Sequence, residues 1–293
     1  MRVAVFGATG FIGNSLVPAL VADGHDVIGV SRTGWRTPIA GARFEQADAT
    51  ESDEVARVLR EVDALYYLVH SLGSSEFAAR DLLAAAVVCG EAEQAGVRQI
   101  VYLGGLGDDD PQLSPHLRSR LETGRRLAAG AVPVTTLRAA MVVGGGSAAF
   151  ETILSLVDRL PGMICPRWVE TPTQPVALED VTRGLAGACG LQAALGQTFD
   201  AGGADVMTYR EMIERIARLR GKRPRIVEVP ILSPRLSSYW LHLVTPVRAS
   251  VARPLIEGLR NPTLARDERL WDLVGVDRTS FDDAARAVLA ARA

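Results

Sequence analysis

The chain has 293 residues, of which 48% are hydrophobic, 23% charged and 5% aromatic, so a disordered or fibrous chain is excluded. Lys and Arg total 32 and Asp and Glu 34, giving a formal net charge of −2. That balance argues against a partner held by phosphate neutralisation, and no nucleic acid is expected.

Residues 3–22 carry no charge and follow Met1-Arg2, as a signal peptide or membrane span would require. Gly7, Gly10, Gly13, Asn14 and Pro18 interrupt the run, so a strand, a loop and a helix are expected instead, with no transmembrane span. Residues 2–6 read as a buried strand. Residues 11–23 read as a helix, with Ile12, Leu16 and Leu20 four apart and Gly24 as its left-handed cap. Strands follow over 26–30 and 43–47, with His25 on the surface between helix and strand.

The same grammar then returns twice. Residues 64–69 form a strand, and 76–95 a helix with Ser75 as N-cap and Gly96 behind it. Residues 97–103 form a strand. Residues 115–129 form a helix capped by Ser114, with Pro115 at its first position and Gly130 closing it, and 132–137 form another strand. Alternating strands and helices imply right-handed crossovers and a parallel sheet covered on both faces. The expected class is α/β, a doubly wound Rossmann sheet.

From Gly144 the pattern changes. Residues 144–147 (Gly-Gly-Gly-Ser) read as a flexible break, 150–160 as a helix and 165–175 as a proline-rich irregular stretch. Residues 177–189 read as a helix, 197–201 as a strand and 208–220 as a helix opened by a Thr208/Glu211 capping box. The expected organisation is a dinucleotide-binding core over 1–143 with 177–201, and a smaller lid or substrate lobe over 144–176 and 202–293. The lobe would lie over the edge where such sheets bind their ligands.

The chemistry concentrates in Gly7-Ala8-Thr9-Gly10-Phe11-Ile12-Gly13, between the first strand and the first helix. In that order, Gly7 permits the tight turn, Gly10 admits a pyrophosphate to the backbone and Gly13 lets helix and strand approach. Free N–H groups and the positive end of the helix dipole then receive the anion. The second strand ends in Val30-Ser31-Arg32, without the carboxylate that would bind the ribose of NAD. Arg32 can meet a 2′-phosphate, with Ser31, Thr33 or Arg36 assisting, so NADP(H) is favoured over NAD(H); an exposed loop arginine is the competing reading. Asp48 and Ala49, after the third strand, lie where an adenine would rest.

The loop 7–13 followed by Val30-Ser31-Arg32 resembles the atypical short-chain dehydrogenase/reductase superfamily. Tyr67-Leu68-Val69-His70-Ser71, Tyr102-Leu103-Gly104-Gly105-Leu106-Gly107, Leu113-Ser114-Pro115-His116-Leu117-Arg118-Ser119-Arg120 and Gln174-Pro175-Val176 narrow the likeness. They resemble a bacterial branch of NAD(P)H-binding proteins near the NmrA-like proteins and the NAD(P)-binding accessory subunit of respiratory complex I. The resemblance implies Gly7, Thr9, Gly10, Phe11 and Ile12 for the pyrophosphate, Arg32 for the 2′-phosphate, and Asp48 and Ala49 for adenine. It also implies Leu68, Val69 and His70 lining the cofactor, and Ala139, Ala140 and Met141 near the nicotinamide.

Active members of that superfamily carry a Tyr and a Lys four residues apart on a helix, and a Ser at the end of the preceding strand. Here the helix carries His116 and Arg120, and the strand end Gly104-Gly105. Spacing by four keeps both side chains on one helix face. A carbonyl reductase needs a proton donor, and a neutral imidazole is a poor one. Imidazolium at position 116 is disfavoured by Arg120 and by the helix N-terminus. Three readings of His116 stand: an acid, a polar contact to substrate or cofactor, or a solvated first-turn residue. Arg120 can hydrogen-bond a ribose or a phosphate, and His70 is either a site residue or structural. Tyr66 and Tyr67 read as packing residues.

The four histidines lack metal-ligand spacing, and Cys89, Cys165 and Cys189 are widely spaced with no C-x-x-C. Neither a metal site nor a disulfide framework is expected, and the thiols fit a cytoplasmic protein. Asp108-Asp109-Asp110 reads as a solvated loop, and Tyr239, Trp240 and His242 as part of a helix in the small lobe or as an exposed ridge. The functional expectation is an NADP(H)-dependent oxidoreductase, monomeric or homodimeric, whose small-molecule site lies between His70, His116 and the segments 144–147 and 165–174. The alternative is a binding protein that senses the dinucleotide or assists assembly without turnover.

Overall fold

In a computed structural model of the protein, residues 1–35, 38–71, 77–107, 113–229 and 258–292 are described. The chain runs through β1 (Arg2–Phe6), α1 (Gly13–Ala22), β2 (Asp26–Ser31), β3 (Ala42–Gln46), α2 (Ser52–Val58), β4 (Ala64–Tyr67), α3 (Phe77–Gln94), β5 (Gln99–Gly105), α4 (Pro115–Leu127) and β6 (Val134–Ala139). It continues through β7 (Val142–Val143), α5 (Ala148–Arg159), β8 (Gly162–Pro166), β9 (Pro172–Thr173), β10 (Val176–Ala177), α6 (Leu178–Gly187) and β11 (Thr198–Ala201). The last described elements are β12 (Met207–Thr208), α7 (Tyr209–Leu219), β13 (Arg225–Val229), α8 (Arg269–Val274) and α9 (Phe281–Ala290).

Seven strands form one sheet in the order β11-β6-β5-β4-β1-β2-β3, and every pair is parallel. Residue alternation sends the strand side chains into two separate cores. Val3, Val5, Tyr66, Val101 and Leu137 face α1 and α6, with Leu16, Leu20, Val181 and Leu185. Ala4, Phe6, Leu65, Tyr67 and Tyr102 face α2, α3 and α4, with Val55, Val88 and Leu127. Burial on both faces is what uninterrupted apolar strands require, and the doubly wound α/β sheet is the architecture found. The strand order reverses between β1 and β4, which opens a crevice at their carboxyl ends.

A third core gathers Phe150, Ile153, Leu154, Met163, Met212, Ile216, Phe281 and Val288 from α5, β8, α7 and α9. Buried polar groups tie this part of the chain to the sheet. Asp180 accepts from Thr279 N at 2.7 Å and from Thr279 Oγ1 at 2.8 Å. Asp200, on β11, accepts from Arg138 Nε at 2.7 Å and from Arg266 N at 2.8 Å. Gln174 donates to the Gly203 carbonyl and to Glu268, both at 2.9 Å, and accepts from Ala265 N at 3.0 Å. Each buried acid or amide is thus partnered, which removes the penalty of hiding it from water.

Several local expectations are corrected. Helix α1 starts at Gly13 rather than at 11, with Pro18 inside it as in the expected helix. Gly130 does not close α4 in a left-handed conformation; Ala128 takes the C-cap, and a Cβ at 130 would lie 2.6 Å from Cys89 Sγ. Residues 165–175 are not all irregular, because β8 and β13 form a parallel pair that takes in Cys165 and Pro166. The run 144–147 is a fitted junction, not a loose break: a Cβ on Gly144 would meet Leu178 Cβ at 2.8 Å and Phe11 Cζ at 3.1 Å, and Ser147 caps α5. His25 is half-buried and not a surface residue, and burial lowers its pKa. Ser75, the 108–110 acidic run and Tyr239, Trp240 and His242 lie outside the described residues. Among the described residues, no helix is long and apolar enough to cross a membrane.

Candidate functional site

The crevice between β1 and β4 holds a cavity of about 230 Å³ lined by Gly7, Thr9, Gly10, Arg32, Asp48, Ala49, Leu68, Val69 and His70, among others. Its floor is the glycine loop. Gly7 N and Ala8 N both donate to the Val30 carbonyl, at 3.0 and 3.2 Å, which turns the chain out of β1 across the end of β2. Gly7 has φ +89°, and a Cβ there would lie 2.9 Å from the Leu68 carbonyl oxygen. Gly13 is tighter still: its Cβ would lie 2.3 Å from Gly7 O and 2.6 Å from Ala8 O. The glycines therefore serve distinct steric needs, one for the turn and one for seating the helix on it.

The entrance of α1 is left open for an anion. No side chain caps it, and its first turn holds no acid. The N–H groups of Phe11 and Ile12 have no acceptor among the described residues. Helices α4, α5, α7 and α9 are instead closed by Ser114, Ser147, Thr208 and Ser280. Unpaired donors at the positive end of a ten-residue helix, above a glycine floor, fit a diphosphate. Phe11 and Ile12 are outside the cavity lining; the Phe11 ring packs against Gly144 instead.

Around Arg32 the structure adds to the sequence reading and trims it. Arg32 is exposed and lines the cavity together with Arg80, Asp48 and Thr50. Ser31 does not assist as expected, since its buried hydroxyl donates to Thr33 O at 2.9 Å and accepts from Thr9 Oγ1 at 3.0 Å and Thr33 N at 3.2 Å. A hydroxyl has one proton and two lone pairs, so all three are spent. Arg36 lies outside the described residues. Asp48 accepts from Thr50 N and Oγ1 at 3.1 and 2.9 Å and pairs with Arg80 at 2.7 Å. Burial works against its charge, but the Thr50 bonds and the charges of Arg80 and Arg32 outweigh it and hold the carboxyl below its ordinary range.

Arg80 was not singled out from the sequence. The readable signal was a cation in the first turn of a helix, where the dipole opposes it, so that only a neighbouring acid or a bound anion rationalises it.

The other end of the cavity is built on His70. Its Nδ1 lies 2.7 Å from Asp81 Oδ2, and its Nε2 lies 3.1 Å from His116 Nδ1. The second oxygen of Asp81 accepts from Ser71 N at 3.0 Å. Asp81 is 1% exposed and stands on the stripe of α3 that carries Ala84, Ala85, Val88, Cys89 and Ala92 into the core. A carboxylate on an apolar stripe is a legible oddity that sequence reasoning passed over. Burial lowers the pKa of His70; Asp81 opposes that effect and Arg120 adds to it. Burial, the His70 ring and Arg120 push His116 down to about 3. The imidazolium acid reading of His116 therefore fails at neutral pH. The solvated first-turn reading fails as well, because the ring is half-buried and bonded to His70.

Arg120 is 8% exposed and is engaged with the protein itself. Its guanidinium donates to the Leu103 carbonyl, and to the Val69 carbonyl at 3.3 Å, with its carbon 5.0 Å from the centre of the Tyr102 ring. It ties the Leu103 carbonyl of β5 to the Val69 carbonyl beyond the end of β4, which occupies two of its five donors. Tyr66 and Tyr67 are fully buried, as expected of packing residues, and burial raises both phenols. Burial likewise pushes the Cys165 thiol up to about 11, so it is a poor nucleophile at neutral pH. Ala140 and Met141 follow β6 outside this cavity's lining; Met141 packs against the third core, and its carbonyl accepts from Val176 N at 3.0 Å. Within 165–174, Cys165 and Val169 point into the third core and Gln174 is buried. Among the described residues, no His, Cys, Asp and Glu cluster could hold a metal ion.

Residues 7–139 match the model of a family described as NAD(P)H-binding. The chain is 23% identical over 242 residues to the mitochondrial NADH dehydrogenase (ubiquinone) 1 alpha subcomplex subunit 9 of Arabidopsis thaliana. That match covers 77% of this chain and 60% of the relative's length. Among solved structures, a nucleoside-diphosphate-sugar epimerase from Staphylococcus aureus aligns with a TM-score of 0.80 at 16% identity, over 98% of this chain and 100% of that one. The triphenylmethane reductase of Citrobacter sp., complexed with NADP(H), aligns with a TM-score of 0.76 at 16% identity, over 98% and 100% of the two chains. The epimerase and reductase structures share the fold of this chain, and residues 7–139 are similar to NAD(P)H-binding proteins.

Proposed function

We propose that this chain, whose residues 7–139 match a family of NAD(P)H-binding proteins, is an NADP(H)-dependent oxidoreductase acting on a small molecule. The observation that carries the reading is one crevice lined by an open glycine cradle and by His70, whose ring pairs with His116 behind it. When bound, the dinucleotide supplies hydride chemistry. The chain supplies the rest: amides of the glycine loop for the diphosphate, Arg32 and Arg80 for a 2′-phosphate, Asp48 and Ala49 beside the adenine, and Leu68, Val69 and His70 along the inner wall. The preference for NADP(H) rests on two guanidinium groups at that end and on an Asp48 carboxylate already occupied by Arg80 and Thr50.

A second reading has its own support. Arg120 donates to the carbonyls of Leu103 in β5 and of Val69 past β4, and no Tyr–Lys pair stands on α4. A dinucleotide-binding regulatory or assembly protein needs the cradle and not the acid. Titration of NADPH, NADP+, NADH and NAD+ by calorimetry, followed by a panel of carbonyls, quinones, enones and alcohols, separates the two. The oxidoreductase binds and turns over. The sensor binds the oxidised and reduced forms with different affinities and leaves the whole panel untouched.

A further inference from the structure

The row Asp81–His70–His116 invites a directional argument. An ionised carboxylate only accepts hydrogen bonds, and both Asp81 oxygens do so, one from Ser71 N at 3.0 Å and one facing His70 Nδ1 at 2.7 Å. His70 must then carry its proton on Nδ1. A neutral ring protonated there has a bare Nε2, which faces His116 Nδ1 at 3.1 Å. His116 must therefore donate from Nδ1, which leaves its own Nε2 with a lone pair. That nitrogen makes no hydrogen bond among the described residues and is not sealed from solvent. Among the described residues, the charged or titratable groups around the row are Asp81 on α3, Arg120 on α4, Tyr67 on β4 and Tyr102 on β5. With one carboxylate at the far end and one guanidinium alongside, the neutral state of both rings is the one burial favours.

We propose that Asp81, His70 and His116 form a proton-accepting relay whose free end, His116 Nε2, takes the proton of a substrate hydroxyl, so that the substrate class is an alcohol and the favoured direction is its oxidation. The proposal rests on the oxidoreductase reading. In the balanced step, the O–H bond breaks and its proton goes to His116 Nε2. The electron pair it leaves becomes the second bond of the carbonyl, while the C–H pair departs as hydride to an oxidised nicotinamide. The proton acquired at Nε2 is matched by movement of the His116 Nδ1 proton to His70 Nε2, and of the His70 Nδ1 proton toward Asp81. The positive charge thus ends beside the buried carboxylate instead of beside Arg120. His116 is the catalytic residue in this scheme; His70 and Asp81 are positioning residues that act through it.

The test begins on the unliganded full chain, labelled with 15N-histidine, by two-bond nitrogen–proton correlation at pH 7. The expected pattern is two neutral rings, each protonated on Nδ1. A His116 ring protonated on Nε2, or on both nitrogens, overturns the relay. Asp81→Asn supplies a readout that a merely structural acid would not move. Ser71 N–H fixes the amide oxygen at its present acceptor, so the amide NH2 must face His70 Nδ1. That reverses the His70 tautomer and in turn puts the His116 proton on Nε2. A folded Asp81→Asn chain whose His116 tautomer is unchanged refutes the coupling; if that variant does not fold, the wild-type tautomers still decide. Any alcohol turned over should lose about 100-fold or more in kcat/KM in His116→Phe, with the dinucleotide Kd within threefold of wild type. A loss below tenfold overturns the catalytic assignment. Failure to bind any dinucleotide by calorimetry overturns the oxidoreductase reading and the alcohol assignment with it, whereas a bound dinucleotide with His116 protonated on Nε2 overturns the relay alone.

Discussion

Replacing Gly10 with aspartate separates what the cradle does for folding from what it does for binding. Gly10 is exposed and outside the left-handed region, and a Cβ there meets only Gly7 O, at 3.1 Å. A side chain therefore asks the Gly7 carbonyl to give by a few tenths of an ångström. A carboxylate near the uncapped start of α1 also gains about 0.3–1 kcal/mol from the helix dipole. The Tm of Gly10→Asp should equal or exceed that of the wild type. For a diphosphate the same carboxylate is a like charge in the anion's place. One such pair about 5 Å apart, at an effective dielectric of about 20, costs about 3 kcal/mol, or roughly 200-fold in Kd. The measurement is calorimetric titration of NADPH into both proteins, with thermal unfolding followed in parallel. A folded Gly10→Asp protein that binds NADPH undiminished would refute the placement of the phosphates, and with it the reading of the whole crevice.

Four further outcomes follow from the same geometry. Gly13→Ala drives a methyl into two backbone carbonyls at 2.3 and 2.6 Å and should cost about 3 kcal/mol in urea unfolding, the upper end for overpacking; a loss below about 1 kcal/mol would show that α1 can lift away from its turn. Arg32→Ala should weaken NADP(H) by about 1.5–3 kcal/mol and leave NAD(H) nearly unchanged by calorimetry, whereas equal losses would remove Arg32 as a 2′-phosphate reader. His116 titrates near its ordinary value of 6.5 when unfolded and at about 3 when folded, so the unfolded chain binds the extra proton between those values and stability falls as pH drops through that window. Urea unfolding at pH 7.5, 5.5 and 4.5 should show His116→Phe with a shallower acid loss than wild type, and identical slopes would contradict the burial of the ring. Thr208→Ala removes the cap of α7, whose Glu211 N donates to Thr208 Oγ1 at 3.2 Å, and should lower stability by about 1 kcal/mol without touching dinucleotide affinity.

Much of the core was legible because it follows from short-range rules. The uninterrupted apolar strands announced two-sided burial, and the glycines at 7 and 13 announced a turn and a close approach that the backbone geometry now makes quantitative. Ser114 and the Thr208/Glu211 pair were readable as caps since a cap is a local hydrogen bond. The site's second half was not local. His70 and His116 are 46 residues apart and meet only because β4 ends and α4 begins at the same sheet edge. Asp81 was visible as an acid on an apolar face, but its partner, His70, stands 11 residues before it and past the end of β4. Arg120 looked like a donor for a ligand, yet the carbonyls of Val69 and Leu103, which no sequence pattern displays, take two of its donors.

That attachment bears on how easily such a scaffold changes trade. Installing tyrosine at 116 and lysine at 120 looks like a two-letter edit toward an ordinary short-chain dehydrogenase. A lysine offers a compact ammonium where a flat, forked cation now reaches two main-chain oxygens and lies against an aromatic ring. The edit would unpin two neighbouring strand tips at once, and would leave His70 facing a phenol in place of an imidazole. A Tyr–Lys pair at these two positions therefore has to come with a new anchor for the carbonyls of Val69 and Leu103.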